Sequence, residues 1–430
     1  MNINNLRLTI LGLTMSLAFP AASSTADSEK PTYIKPRMDF GSSSAGKTLL
    51  ADFHQLADTS PKPQIRDFAQ SMLDRSHGQL SSSGKHAKSC FDASMSPELT
   101  ALALVCANAW MASAVLQGDL PEQERRSAYI RAKLYPMLSD AMQGRDVRVW
   151  ALEAQLPKNS SVPAFSSTQP TGPGRITTFK QDHASGRLYM TKVVINGVSI
   201  EALVDTGTTR SALSESDASR VGAAIIPGAK RAGGPTEDGA HEISLKVGVL
   251  KTVQWGDLRM KNYAVGIWDG PFSAIGLDFI GQLPSPLHVS EKQLDYGAKG
   301  MPSECSGALA LGGDLSGGRT KVYLSGRINK NPPAPILLDT GASGSLNSYA
   351  KSNTPIPDRL GTVKVLQGNT KFTVRSGPIP VVLGVGHGAF DIEAMRFLDL
   401  ASDDPDAIGS GILDKHSLWL DFPNERGCVD

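Results

Sequence analysis

An excess of charge of either sign is the first thing this chain lacks. Its 43 Lys and Arg stand against 42 Asp and Glu, for a formal net charge of +1. That balance supplies no basic stripe for a phosphate backbone and no polybasic patch for an anionic membrane surface, so no nucleic-acid partner is expected. Cysteine is scarce as well. Cys90, Cys106, Cys305 and Cys428 are the whole set, none falls in a Cys-x-x-Cys pair, and the eight His form no His-Glu-x-x-His. The usual zinc patterns are therefore excluded, and neither a metal nor another cofactor is expected. One apolar run without a charge, Leu99 to Leu116, is Ala-rich and carries Thr100, Asn108 and Ser113. These residues fit a helix buried on all sides of a small bundle better than a bilayer span, so no stable membrane insertion is expected.

What is present is a globular composition, 40% apolar and 20% charged over 430 residues, enough for two or three domains. Residues 1–24 have the layout of a secretory signal: Arg7, an apolar run from Leu8 to Phe19, then Pro20-Ala21-Ala22-Ser23-Ser24. The expectation is an exported protein, periplasmic or secreted. An even number of Cys suits that address, and their grouping by region pairs Cys90 with Cys106 and Cys305 with Cys428.

A polar leader, 25–48, contains Gly41-Ser42-Ser43-Ser44-Ala45-Gly46-Lys47-Thr48, which satisfies the phosphate-loop pattern. Such a loop needs a buried strand feeding it, and Tyr33 to Phe40 is a poor one; a flexible Ser/Gly leader in front of a helix is the reading adopted. Residues 49–156 carry helical periodicity, with Leu49, Leu50, Phe53 and Leu56 on one face and Ser96-Pro97 as a cap. This helical domain is a candidate protein-interaction module. A Pro-, Ser- and Gly-rich linker follows at 157–176.

From about Thr177 the pattern becomes short strand-like runs separated by turns. Within it one motif occurs twice. Ala202-Leu203-Val204-Asp205-Thr206-Gly207 returns as Ile336-Leu337-Leu338-Asp339-Thr340-Gly341; average usage predicts roughly 0.1 Asp-Thr-Gly triplets in a chain of this length. A hairpin leads into each copy, one turning at Asn196-Gly197 and the other at Asn331-Pro332-Pro333. Ala274-Ile275-Gly276 and Ala407-Ile408-Gly409 then follow at matched distances, Gly276 lying 71 positions after Asp205 and Gly409 70 after Asp339. The organisation implies two homologous lobes, 177–300 and 301–430.

In these motifs each copy resembles a retropepsin-like aspartic protease of the pepsin/retropepsin superfamily. The resemblance implies an all-β, double-lobed acid-protease-like region of retropepsin-type closed barrels behind the α-helical N-terminal domain. It implies Asp205 and Asp339 as a catalytic dyad acting on a polypeptide substrate, supported by Thr206, Gly207, Thr340 and Gly341. Substrate-covering flaps are expected between each triplet and its later Gly, with Gly233, Gly234 and Gly239 in the first lobe and Gly368 in the second. The copies differ after that Gly: Leu277-Asp278 stands in the first and Ser410-Gly411 in the second, so any contact made by Asp278 has no counterpart. The second lobe also inserts Gly384 to Gly388, whose His387 is read as a loop residue. The function expected is an exported aspartic endopeptidase. The alternatives are a non-catalytic peptide-binding scaffold with a degenerate cleft, and lobes that pair with their like in another chain.

Overall fold

The computed structural model describes residues 50–138, 162–183, 186–235, 242–312, 320–348, 355, 357, 359–364, 371–384, 389–398 and 406–430. The signal-like segment, the leader with its phosphate-loop pattern, the end of the helical stretch beyond Leu138, Gly239, Gly368 and His387 lie outside them.

The helical region comprises helices Ala51–Thr59, Pro63–Ser76, Leu80–Ala93, Thr100–Gln117 and Leu120–Leu134. Thr100–Gln117 is its centre. Although long and apolar enough to cross a bilayer, it is buried by its neighbours from Ala103 to Leu116. A short 3-10 turn, Pro97–Leu99, precedes it, and Ser96 caps that turn through its carbonyl, which accepts from the Leu99 amide (3.0 Å), not through its hydroxyl. Gly118 ends the helix in the left-handed region (φ 72°), where a side chain would be strained and would strike the Tyr263 ring. Asp119 then caps the next helix by accepting from the Glu122 amide at 3.1 Å. A disulfide joins Cys90 to Cys106, tying the Leu80–Ala93 helix to the central one.

The β region begins earlier than its sequence pattern. Ser166–Thr168, inside the stretch expected to be a linker, pairs with Leu258–Trp268 (Ser166 opposite Lys261), and Asn262 Nδ2 donates to the Ala164 carbonyl at 2.8 Å. Three exposed residues carry no periodicity, so an added edge strand of this kind leaves no mark in the sequence.

Two closed circuits of strands follow. In the first, Gly186–Ile195 pairs with Val198–Val204 around Asn196-Gly197, both at positive φ as this tight hairpin turn requires. Val198–Val204 runs parallel to Ser273–Ile275, which adjoins Ala212–Ser214; that strand lies parallel to Leu258–Trp268, and Glu242–Trp255 closes the ring back onto Gly186–Ile195. The second circuit has the same order: Lys321–Ile328, Ala334–Asp339, Ala407–Gly409, Leu346–Ser348, Phe390–Phe397, Lys371–Leu383 and back to Lys321–Ile328. Alternating inward residues of both rings, among them Val193, Ile200, Val204, Val322, Leu324 and Leu338, join one continuous apolar core.

A sheet of six strands knits the circuits together. In spatial order it runs Gly174–His183, Gln293–Tyr296, Leu287–Val289, Leu418–Asp421, Arg426–Val429 and Gly307–Gly312. Strands from the start, the middle and the end of the β region thus lie in one hydrogen-bonded layer, and the Cys305–Cys428 disulfide secures its far edge. The helical region packs on both lobes. Its core includes Ala308 and Ala310 with Tyr323 of the second lobe, while Leu120 packs with Ala229, Val247 and Ala264 of the first. At the same contact Glu425 Oε1 accepts from His54 Nε2 (2.6 Å) and from His77 Nε2 (3.0 Å).

Candidate active site

Each Asp of the two triplets stands at the end of a buried strand held from both sides, by its hairpin partner and by a short parallel strand. Val204 lies opposite Ile275 and the Asp205 amide donates to the Ile275 carbonyl (2.9 Å); Asp339 lies opposite Gly409. Apolar Leu203, Val204, Leu337 and Leu338 are buried beneath the carboxyls, whereas Asp205 and Asp339 themselves remain partly open to solvent. The chain then turns tightly. The amide of Gly207 donates to Asp205 Oδ1 (2.8 Å), and the amide of Gly341 donates to Asp339 Oδ1 (3.1 Å).

The two turns face one another and interlock. Thr206 Oγ1 donates to the Leu338 carbonyl (2.8 Å) and accepts from the Thr340 amide (3.0 Å), while Thr340 Oγ1 donates to the Val204 carbonyl (2.7 Å) and accepts from the Thr206 amide (3.1 Å). Both Thr are buried, so four backbone groups that water cannot reach are satisfied by two hydroxyls. The glycines lie across the same boundary. A Cβ on Gly207 would fall 2.2 Å from Asp339 Oδ1, and one on Gly341 would fall 2.5 Å from the Asp205 carboxyl carbon. Each Gly therefore backs onto the opposite lobe's carboxylate, and only hydrogen leaves room for that approach.

The later glycines have a steric cause too. A Cβ on Gly276 would meet Thr208 and the Arg210 backbone at 2.9 Å, and one on Gly409 would come 2.2 Å from the Gly344 carbonyl oxygen. Past them the lobes diverge. Buried Asp278 accepts from the Ser211 amide (3.0 Å), from Ser211 Oγ (2.8 Å) and from the Tyr263 hydroxyl, and so pins the loop behind Asp205. In the second lobe Gly411 fits against the backbone of Ser343, Gly344 and Ser345 instead.

Burial and the nearby Asp339 carboxyl push the Asp205 pKa well above the usual carboxylate range, against the pull of Lys321 and of the Gly207 amide. Among the described residues no group of three or more His, Cys, Asp or Glu is placed to hold a metal ion.

Residues 191–279, the span of the first triplet and its later Gly, match the sequence profile of the aspartyl protease family. The likeness to that family lies in this segment of the chain. A comparison with curated protein sequences gives no match. Among solved structures, the aspartic proteinase of Irpex lacteus is similar over 60% of this chain and 97% of its own, at 14% identity and a TM-score of 0.36. Conglutin gamma, a basic 7S globulin from lupine seeds, is similar over 60% and 95% at 11% identity and 0.37. A retropepsin-like aspartic protease from Rickettsia conorii is similar over 30% and 94% at 19% identity and 0.23.

The hairpins expected as covers fall partly among the described residues. Gly233 and Gly234 end the strand Ala224–Pro235, which pairs with Glu242–Trp255, and Arg359–Lys364 pairs with Lys371–Leu383 in the second lobe. Their tips lie outside the described residues. Two lysines that sequence patterning did not single out cross between the lobes. Lys321 Nζ donates to the Gly207 carbonyl, and buried Lys180 donates to the Ser410 carbonyl (2.6 Å) and pairs with Asp414 (3.2 Å). Neither carries a local sequence signal: Lys321 stands on the hairpin partner of Ala334–Asp339, and Lys180 on Gly174–His183, one strand further from its triplet.

Proposed function

We propose that the chain is an exported aspartic endopeptidase whose single site is formed by Asp205 and Asp339 of the same molecule. The observation that supports this reading is the reciprocal approach of each Gly to the other lobe's carboxylate, which sets the two Asp-Thr-Gly turns face to face. One carboxylate takes a proton from that water, whose oxygen attacks the peptide carbonyl carbon, while the protonated partner gives its proton to the carbonyl oxygen. The tetrahedral gem-diol collapses as the carboxyl that took the water proton passes it to the leaving nitrogen and the other carboxylate takes a proton from a diol hydroxyl, which restores the singly protonated pair. Polypeptide is the substrate class, in keeping with the family.

The six-stranded sheet shared by both lobes supports assembly within one chain over pairing of like lobes between chains. Two disulfides, in a chain with only four Cys, support an oxidising compartment and hence export. The test is cleavage of an unfolded protein by the parent chain and by Asp205→Asn and Asp339→Asn. Loss of cleavage in both variants, with folding retained, is the expected result; full activity in either one removes the shared pair.

A further inference from the structure

The loop that carries Asp205 is held by residues 275–278. The Leu277 amide donates to the Thr208 carbonyl (3.0 Å), the Asp278 amide to the Thr209 carbonyl (3.1 Å) and the Gly276 amide to Ser211 Oγ (2.9 Å). The Asp278 carboxylate takes the Ser211 amide and hydroxyl in return. One more donor to that carboxylate, the Tyr263 hydroxyl, comes from the strand Leu258–Trp268. Tyr263 is fully buried, with its ring edge-on to Phe279 at 5.2 Å between centroids. On its other side stands Gly118, where the central helix ends, and a Cβ there would fall 2.3 Å from the ring. Helix end, tyrosine, aspartate and loop are one contiguous series of contacts.

The same places in the second lobe are filled differently. Ala212 lies opposite both Gly266 and Ala274, and Asn347 lies opposite Met395 and Ala407, the Ala of the matching later motif. Counting back three residues from Gly266 and Met395, Tyr263 and Ile392 correspond; two residues after the later Gly, Asp278 and Gly411 correspond. Both polar links are thus replaced, the donor by an isoleucine and the acceptor by a glycine. By this route the helical domain reaches the loop of Asp205 and not that of Asp339.

We propose that Tyr263 is a positioning residue for the reaction, through which the end of the helix Thr100–Gln117 sets the Asp205 loop. The helical domain is then part of the support of the active site and not a separable recruiting module. The inference rests on the dyad reading above and deepens it by naming what holds one of its two loops. Tyr263, Asp278 and Ser211 are all buried, and a close-packed interior passes a displacement on instead of absorbing it. A ring that shifts carries its hydroxyl with it. Asp278 must then follow or lose that bond, and in either case Ser211 and the Thr208 and Thr209 carbonyls lose their register with residues 276–278.

The experiment is cleavage of one peptide by the full chain, with kcat and KM measured separately and the denaturant midpoint beside them. Tyr263→Phe keeps the ring and its packing and removes only the hydroxyl. Its kcat is expected to fall by about tenfold, with KM within about twofold of the parent. Gly118→Asn tolerates the left-handed backbone and pushes on the ring from the helical domain, so a similar fall in kcat is expected. Gly222→Ala, at φ 64° with nothing within 4 Å of the added Cβ, controls for backbone strain alone and should keep the parental kcat. In the double variant, Gly118→Asn should add little to Tyr263→Phe, because the link it acts through is already cut. If Gly118→Asn folds poorly, Tyr263→Phe decides alone. A tie that serves stability only would lower the denaturant midpoint and leave kcat of the folded chain unchanged. That result in Tyr263→Phe, or losses that multiply in full in the double variant, in a chain that Asp205→Asn still inactivates, overturns the role of Tyr263 and leaves the dyad standing. Activity in Asp205→Asn overturns both.

Discussion

The amide of Thr206 donates to the hydroxyl of Thr340 and the amide of Thr340 donates to the hydroxyl of Thr206, at 3.1 and 3.0 Å, across the boundary between the two lobes. Residues 134 positions apart in the chain are thereby held as closely as neighbours in a helix. Thr206→Ala leaves the Leu338 carbonyl and the Thr340 amide without partners in a dry interface. A loss of about 2–4 kcal/mol in denaturant unfolding is expected, with a matching fall in cleavage. Thr206→Ser keeps the hydroxyl and should recover most of both. The double variant with Thr340→Ala should cost less than the sum of the two single losses, because each Thr partners the other.

Gly207 and Gly341 should behave differently from the threonines. Adding a methyl group 2.2 Å from Asp339 Oδ1 in Gly207→Ala displaces a carboxylate, not a core side chain. Activity should fall by roughly 100-fold, the scale on which misplacing a reacting group by about 1 Å acts, while unfolding changes little by comparison. The comparison of kcat/KM with the denaturation midpoint checks it.

How much of this was legible beforehand varies by element. The doubled Asp-Thr-Gly, the Asn196-Gly197 turn and the later Gly are local signals, each with a steric cause, and the fold class and the pairing of Cys followed from them and from regional grouping. The six-stranded layer was not legible, because its strands are drawn from the start, the middle and the end of the β region and several, such as Leu287–Val289, are too short to show alternation. Ser166–Thr168 was hidden in a stretch whose composition reads as linker. Lys321 was hidden for another reason: its importance lies in the carbonyl it reaches, which belongs to the other lobe and is fixed by tertiary register alone.

Asp278 shows what asymmetry after the later Gly means in energy. Asp278→Ala would leave the Ser211 amide, the Ser211 hydroxyl and the Tyr263 hydroxyl without their acceptor. At least about 3 kcal/mol of stability should be lost, read as a lower denaturant midpoint at unchanged slope. Gly411, the counterpart, carries no such network, so the second lobe should unfold no earlier in this variant than the first.

The raised Asp205 pKa gives a pH dependence with a definite sign. Between its unfolded value, about 3.9, and its higher folded value, the folded chain binds more protons than the unfolded chain at this group. Stability from this source is therefore present at low pH and lost as pH rises. Asp205→Asn has no such proton to lose. Its unfolding temperature should exceed the parent's by a margin that grows from about pH 4 upward; a margin that shrinks on the same path would refute the raised value.

The central claim is that one molecule supplies both carboxylates of one site, and mixing is its most direct test. Asp205→Asn and Asp339→Asn chains, each inactive alone, are combined in equal amounts and assayed on an unfolded protein. The account predicts that the mixture stays as inactive as its parts, because every molecule contains one defective site. Recovery of a substantial fraction of parental cleavage would show that the carboxylates come from different chains and would contradict it.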